Sequence, residues 1–265
     1  MRKGIYTYRN DITIEQQHRF IKQAGFDSVM IWWGDQKDEY IKSCAKYDLE
    51  ICCAHLPFED VRKLWLPGIN DGEEYSQYLC EQISEIGIKG IPVAVMHLTK
   101  GSDTYPYNIK GIDRLKRVVD VAEKSDVKIA FENLRLTRYL DYVFDHIHSN
   151  NIGFCYDSGH QHYFSPERDV LSDFKHKLLA LHIADNDGNA DTHSLPYDGT
   201  VNWNAFAKIL AEIQYSGVLS LEVQQDRDPI YAELSAKEFF ELAFERVRRF
   251  ESEIKNFRNE STIAI

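Results

Sequence analysis

Residues 178–199 read LLALHIADNDGNADTHSLPYDG, an apolar run that passes without a break into acidic residues and histidines. A short, mostly apolar run bounded by polar residues is typical of a β-strand that is buried on both faces. His182 stands where this strand is expected to end, and several residues after it can bind protons or metal ions. The segment therefore predicts a parallel strand whose carboxyl end enters a functional site.

Similar apolar runs occur at seven other places along the chain, at residues 4–8, 27–33, 49–55, 91–97, 127–133, 152–157 and 217–223. Between them lie amphipathic stretches with helical spacing, at residues 14–25, 38–48, 73–87, 112–125, 140–150, 203–214 and 235–254. Strands that alternate with helices in this way predict an α/β fold, the closed (β/α)8 TIM barrel. An open doubly wound sheet is the alternative, but no GxGxxG or phosphate-loop motif follows the first strand.

The composition is that of a globular protein with a complete core. The chain has 265 residues, 43% of them hydrophobic and 28% charged, and no linker divides it, so we expect one domain over residues 1–265. The lack of a long apolar N-terminal stretch and of any CxxC pair among five cysteines favours a cytoplasmic protein with reduced thiols and no membrane partner. A net charge of −11 argues against a nucleic-acid partner. The sequence leaves a homodimer open.

Six consecutive predicted strand ends carry a side chain that can coordinate a metal ion: His55, His97, Glu132, Asp157 with His160 three residues later, His182 and Glu222. The carboxyl ends of barrel strands meet at one mouth, where active sites are built. Glu132 and Glu222 each lie in an apolar segment, and an isolated carboxylate is costly there unless it is paired or bound to a metal. Together these residues predict a shared divalent cation.

Each of these residues also has a simpler interpretation. A single histidine at a strand end is often only hydrogen-bonded in the core, and Asp157 could be a helix cap. His182 and Asp185 could belong to an ordinary polar loop. Four other histidines fall on predicted helices and are expected to face solvent: His18, His146, His148 and His176. The chemical match among the strand-end residues favours the metal site over these readings.

The order Glu132, Asp157-x-x-His160, His182 and Glu222 resembles the xylose-isomerase-like TIM barrels of the sugar phosphate isomerase/epimerase superfamily, over nearly the whole chain. The resemblance implies that a divalent ion is held by Glu132, Asp157, His182 and Glu222. The segment HIADNDGNADTH, followed by GTVNW, is similar to the seventh-strand loop of many members. In those members a tryptophan after the loop begins the next helix, and the corresponding residue here is Trp203.

The same superfamily includes endonuclease IV, a three-zinc enzyme that cuts DNA at abasic sites. Its larger ligand set could be filled here by His55, His97, Glu132, Asp157, His160, His182, Asp191, His193 and Glu222. Against this alternative, the chain lacks the glycine-rich segment after Glu132 and the glycine- and serine-rich opening that the resemblance would require. The acidic composition also argues against it, as does the lack of a series of Arg and Lys residues that could contact duplex DNA.

The expected activity is a metal-dependent isomerisation or epimerisation of a sugar, sugar phosphate or cyclitol through an enediolate. Resemblance to the tagatose and psicose 3-epimerases implies that Glu132 and Glu222 bind the metal and shuttle the proton on opposite faces. His160 is expected to contact a substrate hydroxyl or to carry a second ion. A dehydratase (lyase) that uses the same metal site is a close alternative.

The ligand types also indicate which metal to expect. Three carboxylates and one imidazole favour Mn²⁺, Mg²⁺ or Co²⁺. Zn²⁺ is favoured if the site is polynuclear, with additional binding by His55, His97, His160, Asp191 and His193. For the substrate, aromatic walls are expected from Trp32, Trp33, Phe58 and Trp65, and anion binding from Lys100 or Arg135.

Overall fold

The computed structural model describes residues 1–6, 9, 11–68 and 70–263, with side chains described up to residue 260. In this part of the chain the strands are β1 (Lys3–Tyr6), β2 (Ser28–Trp32), β3 (Glu50–His55), β4 (Val93–Met96), β5 (Lys128–Glu132), β6 (Ile152–Asp157), β7 (Leu178–His182) and β8 (Leu219–Glu222). Neighbouring strands pair in parallel and follow chain order from β1 to β7, with β8 beside β1.

The sheet closes on itself between the residue that follows β7 and the end of β8. Ile183 N donates to Ser220 O at 2.9 Å, and Glu222 N donates to Ile183 O at 3.0 Å. The barrel is therefore nearly closed, which confirms the predicted (β/α)8 TIM barrel and shows that the open-sheet alternative was wrong. The predicted strands agree with the observed ones to within two residues. Thr7 and Tyr8 of the first predicted strand lie outside the described residues.

Helices surround the barrel. In the described chain they are α1 (Ile14–Ala24), α2 (Lys37–Tyr47), α3 (Asn70–Ile88), α4 (Ile109–Lys124), α5 (Arg138–His146), α6 (Ser158–Phe164), α7 (Val170–Phe174), α8 (Trp203–Glu212) and α9 (Ala236–Ile263). The short helices α6 and α7 lie between β6 and β7, where the sequence pattern predicts no helix. Among the described residues, no helix combines the length and the apolarity needed to cross a bilayer.

Local sequence signals set the helix ends. At the start of α1, Thr13 and Gln16 form a capping box in which each side chain accepts a hydrogen bond from the other residue's backbone. At its end, Gly25 adopts a left-handed conformation with φ 109°, and its N–H reaches the carbonyls of Ile21 and Lys22. These two caps explain why the predicted and observed bounds of α1 agree.

The interior of the barrel is filled by a small cluster of its own, separate from the main core between sheet and helices. Side chains two residues apart on a strand point the same way. The positions two residues before the predicted ligands therefore form one layer directly beneath the mouth, consisting of Cys53, Val95, Ala130, Cys155, Ala180 and Ser220. We call this set the layer beneath the mouth.

One histidine lies elsewhere than predicted. His18 on α1 is only 1% exposed, and its Nδ1 lies 3.7 Å from the sulfur of Cys44. The prediction that His18 faces solvent is wrong because this position belongs to the buried face of α1. His146, His148 and His176 are exposed, as predicted.

Candidate metal centre

Glu132, Asp157, His182 and Glu222 converge at the carboxyl end of the barrel, and we call them the four-ligand group. Each is the last residue of its strand, from β5 to β8. Each offers one ligand atom, and the four atoms all lie within 4.8 Å of one another. Ligand atoms stand at about 2.0–2.6 Å from a divalent cation. The spacing of the group therefore fits a single shared ion.

Four buried polar atoms of this group lack a hydrogen-bond partner within the described chain, namely Asp157 Oδ2, Glu222 Oε2 and both ring nitrogens of His182. His182 Nδ1 lies 2.8 Å from Glu222 Oε2 and 3.3 Å from Glu132 Oε2, without the geometry of a hydrogen bond. A buried polar atom without a partner costs about 1–3 kcal/mol. Asp157, Glu222 and one ring nitrogen of His182 therefore have ligand atoms that a shared divalent cation could satisfy.

Asp157 also caps the helix that follows it. Its Oδ1 accepts a hydrogen bond from His160 N at 2.7 Å, as the N-cap of α6. The Asn133 side chain makes two hydrogen bonds to the backbone of Asp157: it accepts from the N–H at 2.7 Å and donates to the carbonyl at 2.8 Å. Capping therefore uses one carboxylate oxygen and leaves the other, Oδ2, buried and without a hydrogen-bond partner in the described chain.

Two further histidines surround Glu132. Its Oε2 lies 3.2 Å from His55 Nε2 and 3.1 Å from His97 Nε2. The Nδ1 of His55 is 2.9 Å from the carbonyl of Leu56, which fixes the orientation of this ring. The structure thus brings both early histidines to the carboxylate that also belongs to the four-ligand group, and His55, Glu132 and His182 form a second possible ligand set.

A third possible ligand set consists of His160, Asp191 and His193. Asp191 Oδ2 lies 3.3 Å from His193 Nε2 and 3.7 Å from His160 Nε2. The other ring nitrogens are close to backbone carbonyls, with His160 Nδ1 at 3.1 Å from Asn133 O and His193 Nδ1 at 3.1 Å from Glu222 O. Both rings are therefore held with Nε2 toward the same carboxylate.

The loop that carries Asp191 and His193 is held by a buried carboxylate. Asp185 accepts four hydrogen bonds, at 2.8–3.0 Å, from Asn186 N, Tyr197 N, Val201 N and Trp203 Nε1. Because these donors come from both sides of the loop, Asp185 fixes its path. The polar residues after β7 thus serve two roles. Asp191 and His193 belong to a possible ligand set, and Asp185 holds the loop that carries them.

Burial and mutual charge set the protonation of the site. Burial raises the pKa of Glu132, but the positive charges of His182 and His97 outweigh it and hold this pKa well below its usual range. Burial and His182 act in the same opposed way on Glu222, whose pKa is also lowered. Burial raises the pKa of Asp157 to about 7, against the charge of His160. Burial opposes charge on His160, but Asp157 and Glu132 raise its pKa to about 10.

A cavity of about 660 Å³ opens above these residues. Part of its lining is aromatic: Trp32 stacks on His55 with 5.1 Å between ring centroids, and Phe58 stacks on His97 at 4.1 Å. The polar part of the lining includes Asp35, Gln36, Asp191, Gln224 and Arg227. The cavity therefore offers an apolar surface and hydrogen-bonding groups to the same ligand, as sugar-sized ligands require.

Trp33 and Trp65 were also predicted to form aromatic walls for a substrate, but they do not line this cavity. Trp33 is 1% exposed, with the Lys37 ammonium 5.2 Å from its ring. Trp65 is fully buried and donates to Leu98 O at 2.7 Å. In a run as uniformly apolar as VMIWW, the sequence does not reveal which of two neighbouring tryptophans faces inward.

The predicted anion-binding residues also lie outside the lining. The Lys100 ammonium sits 5.5 Å from the centre of the Phe58 ring, and the Arg135 guanidinium 4.0 Å from that of Phe164. The arginine that lines the cavity is Arg227, which sequence analysis missed. It lies five residues after Glu222, so the rule that selected Lys100 and Arg135, a cation just past a strand end, also applies to it.

Residues 19–245 match the model of a protein family described as xylose isomerase-like TIM barrel. Among curated proteins, an uncharacterized protein of Sinorhizobium fredii, y4fM, is 35% identical over 147 residues, which cover 55% of this chain and 45% of that protein. An uncharacterized protein of Methanocaldococcus jannaschii, MJ1311, is 27% identical over 223 residues, covering 76% of this chain and 74% of that protein. The chain thus spans less than half the length of the first relative.

Solved structures share the fold at low sequence identity. D-psicose 3-epimerase from Clostridium cellulolyticum H10, crystallised with D-tagatose, has a TM-score of 0.79 at 14% identity, covering 96% of this chain and 99% of that one. An L-ribulose 3-epimerase has a TM-score of 0.78 at 15% identity, covering 99% and 97%. With the family match over most of its length, the chain belongs to the xylose isomerase-like TIM barrel family.

Proposed function

We propose that this protein is a divalent-metal-dependent isomerase or epimerase of a sugar or a sugar-like polyol. The observation that carries the proposal is the four-ligand group, whose ligand atoms lie within 4.8 Å of one another and which has four buried polar atoms without partners in the described chain. The proteins of similar structure that bear the names of sugar 3-epimerases support the same assignment. Three carboxylates and one imidazole favour Mn²⁺, Mg²⁺ or Co²⁺.

The chemistry requires a proton to leave a carbon next to a carbonyl and to return to the same or the neighbouring atom. A divalent ion in the four-ligand group supplies Lewis-acid polarisation of the substrate carbonyl. Glu132 and Glu222 then act as the acid/base pair, one on each face of the substrate. Their lowered pKa values keep both as carboxylates at neutral pH, which is the form that a base requires.

His160 pairs with Glu132 as a charged imidazole, because Asp157 and Glu132 raise its pKa to about 10 against the effect of burial. Its Nδ1 lies 3.0 Å from Glu132 Oε1, and its Nε2 points toward Asp191 at the edge of the cavity. Trp32 and Phe58 cover the apolar C–H surface of the sugar. Arg227 and Gln224 lie among the polar lining residues that can bind its hydroxyls or an anionic substituent.

Two experiments test this function. Metal content is measured in the purified protein, and a panel of ketoses and their phosphates is incubated with it in heavy water. One bound ion and deuterium incorporation next to the carbonyl are expected. Loss of water from the product instead identifies the dehydratase variant of the same chemistry. A protein that binds no divalent cation and exchanges no substrate proton contradicts the proposal.

A zinc phosphodiesterase of the endonuclease IV kind is the second candidate. The observation in its favour is that His55 and His97 also reach Glu132, and that His160, Asp191 and His193 form a separate ligand set. Imidazole-rich sets favour zinc. Three bound zinc ions together with chelator-sensitive cleavage of an abasic-site duplex would establish this activity. Intact duplex in the presence of three bound zinc ions counts against it.

A further inference from the structure

Strand β3 carries two adjacent cysteines whose side chains both enter the barrel. In a regular strand, neighbouring side chains point to opposite faces of the sheet. Here successive residues of β2 pair with Ile51 and then with Cys53, so Cys52 is the extra residue of a β-bulge. Both cysteines belong to the cluster that fills the barrel interior, and they are 8% and 3% exposed. The bulge therefore brings two thiols to the same side of the strand.

The two sulfur atoms lie 3.9 Å apart, and this distance decides which chemistry suits the pair. At a metal–sulfur distance of about 2.3 Å, sulfurs 3.9 Å apart subtend about 116° at a shared ion, close to the tetrahedral angle of about 109°. A disulfide fits less well, because consecutive Cα atoms lie about 3.8 Å apart and disulfides usually span about 4.4–6.8 Å between Cα atoms. The geometry favours a shared ion over a covalent bond between the sulfurs.

A cavity of about 350 Å³ at the amino end of the barrel gives access to the two thiols. Three of its lining residues, Arg2, Glu50 and Lys128, are exposed, so the cavity opens to solvent. Both cysteines line it, as do Ala180 and Ser220 from the layer beneath the mouth. The Ser220 hydroxyl is buried and has no hydrogen-bond partner within the described chain. The cavity therefore provides an entry path, space for water ligands and an unpartnered polar group.

We propose that Cys52 and Cys53 form a second metal site, which binds one thiophilic divalent cation such as Zn²⁺ or Cd²⁺. The thiolate is the ligand, so two S–H bonds break, two metal–sulfur bonds form and two protons pass to solvent for each ion bound. The Cys52 thiol gives up its hydrogen bond to Val29 O, which measures 3.2 Å. Sulfur ligands select soft ions, whereas carboxylates suit Mg²⁺ and Mn²⁺, so this site and the four-ligand group take different cations.

The test is a titration with Cd²⁺ in excess Mg²⁺, which competes for carboxylates and not for thiolates. One bound Cd²⁺, with ultraviolet thiolate-to-metal absorption and two protons released, is expected. Loss of even an outer partner of a metal ligand costs about 10–100-fold in affinity, so Cys52→Ala and Cys53→Ala should each weaken binding by at least about 100-fold. Cys80→Ala is the matched control, because it removes a half-buried thiol from α3 and should bind Cd²⁺ as the wild type does.

X-ray absorption by Cd²⁺ in the wild-type protein needs no variant and should show two sulfur neighbours, which decides the matter if the alanine variants do not fold. A wild-type protein that binds no Cd²⁺, or binds it through oxygen and nitrogen alone, overturns the site. So do Cys52→Ala and Cys53→Ala proteins with wild-type affinity, and so does an equal loss in Cys80→Ala. The four-ligand group is tested separately by Mn²⁺ binding without Cd²⁺, so failure of one site is distinguishable from failure of the other.

Discussion

Glu132 lies among four imidazoles of the candidate site. Its Oε2 lies within 3.3 Å of imidazole nitrogens from His55, His97 and His182, and its Oε1 lies 3.0 Å from His160. A carboxylate in this position balances the surrounding imidazoles and can bridge adjacent ligand sets. Its charge therefore matters for both metal binding and proton transfer.

Replacing this charge without changing the shape tests both roles. Glu132→Gln is expected to lower deuterium incorporation into the ketose about 10²–10⁴-fold, because the amide cannot take the proton. Calorimetric titration should show weaker metal binding as well. Glu167→Gln, at an exposed glutamate, is the control and should behave as the wild type. Wild-type exchange by Glu132→Gln would remove this residue from the reaction.

His18 gives a prediction about stability. Burial lowers its pKa from 6.5 to about 4. Between these values the unfolded chain takes up a proton that the folded one does not, so stability falls as the pH drops from 6.5 toward 4. At pH 4.5 this loss of stability amounts to about 2.5 kcal/mol.

His18→Phe should lose this part of the pH dependence, because the phenyl ring can pack against Tyr40 without titrating. Urea unfolding of both proteins at pH 7.5 and 4.5 measures the effect, and the variant should lose less free energy of unfolding on acidification. The carboxylates of the site titrate in both proteins and cancel in the comparison. Equal losses in the two proteins would assign the acid sensitivity to other groups.

At the scale of the elements, the sequence predicts the strands and the approximate site because both follow from one pattern. A buried parallel strand is uniformly apolar, so a single acid or histidine at its end is conspicuous. An example is the segment IGFCYD at residues 152–157, which ends in Asp157. The same uniformity hides which side chains face the cavity, which is why Trp33 was predicted as a wall residue together with Trp32. The sequence also does not reveal that Lys100 and Arg135 lie over aromatic rings.

The loop after β7 is the element whose path depends on one side chain. Asp185→Asn replaces one of the acceptor oxygens by an NH2 group, which must then face N–H donors such as Tyr197 N. We expect a loss of about 2–3 kcal/mol in the free energy of unfolding and faster amide exchange at Tyr197 and Val201. Asp187→Asn, an exposed neighbour in the same loop, is the control. Unchanged exchange in Asp185→Asn would mean that the loop is held by other contacts.

At the scale of the whole molecule, barrel closure brings together residues that are far apart in sequence. The four-ligand group spans positions 132–222, and His55 and His97 extend the set to six strands. A cation held by β5 to β8 would bridge the strands on either side of the junction where Ile183 pairs with β8. Since the unfolded chain does not hold these ligands together, binding should stabilise the folded barrel as a unit.

This coupling gives a prediction for thermal unfolding. At a Mn²⁺ concentration of about 100 times its dissociation constant, the gain is about 2.7 kcal/mol, or about 5–10 °C in Tm. Calorimetry with Mn²⁺ and with a chelator measures it. Glu222→Gln should lose most of the gain because it removes a ligand charge from β8, whereas Glu167→Gln should keep it. An equal shift in Glu222→Gln would place the stabilising ion elsewhere, since an ion in the four-ligand group cannot be indifferent to one of its carboxylates.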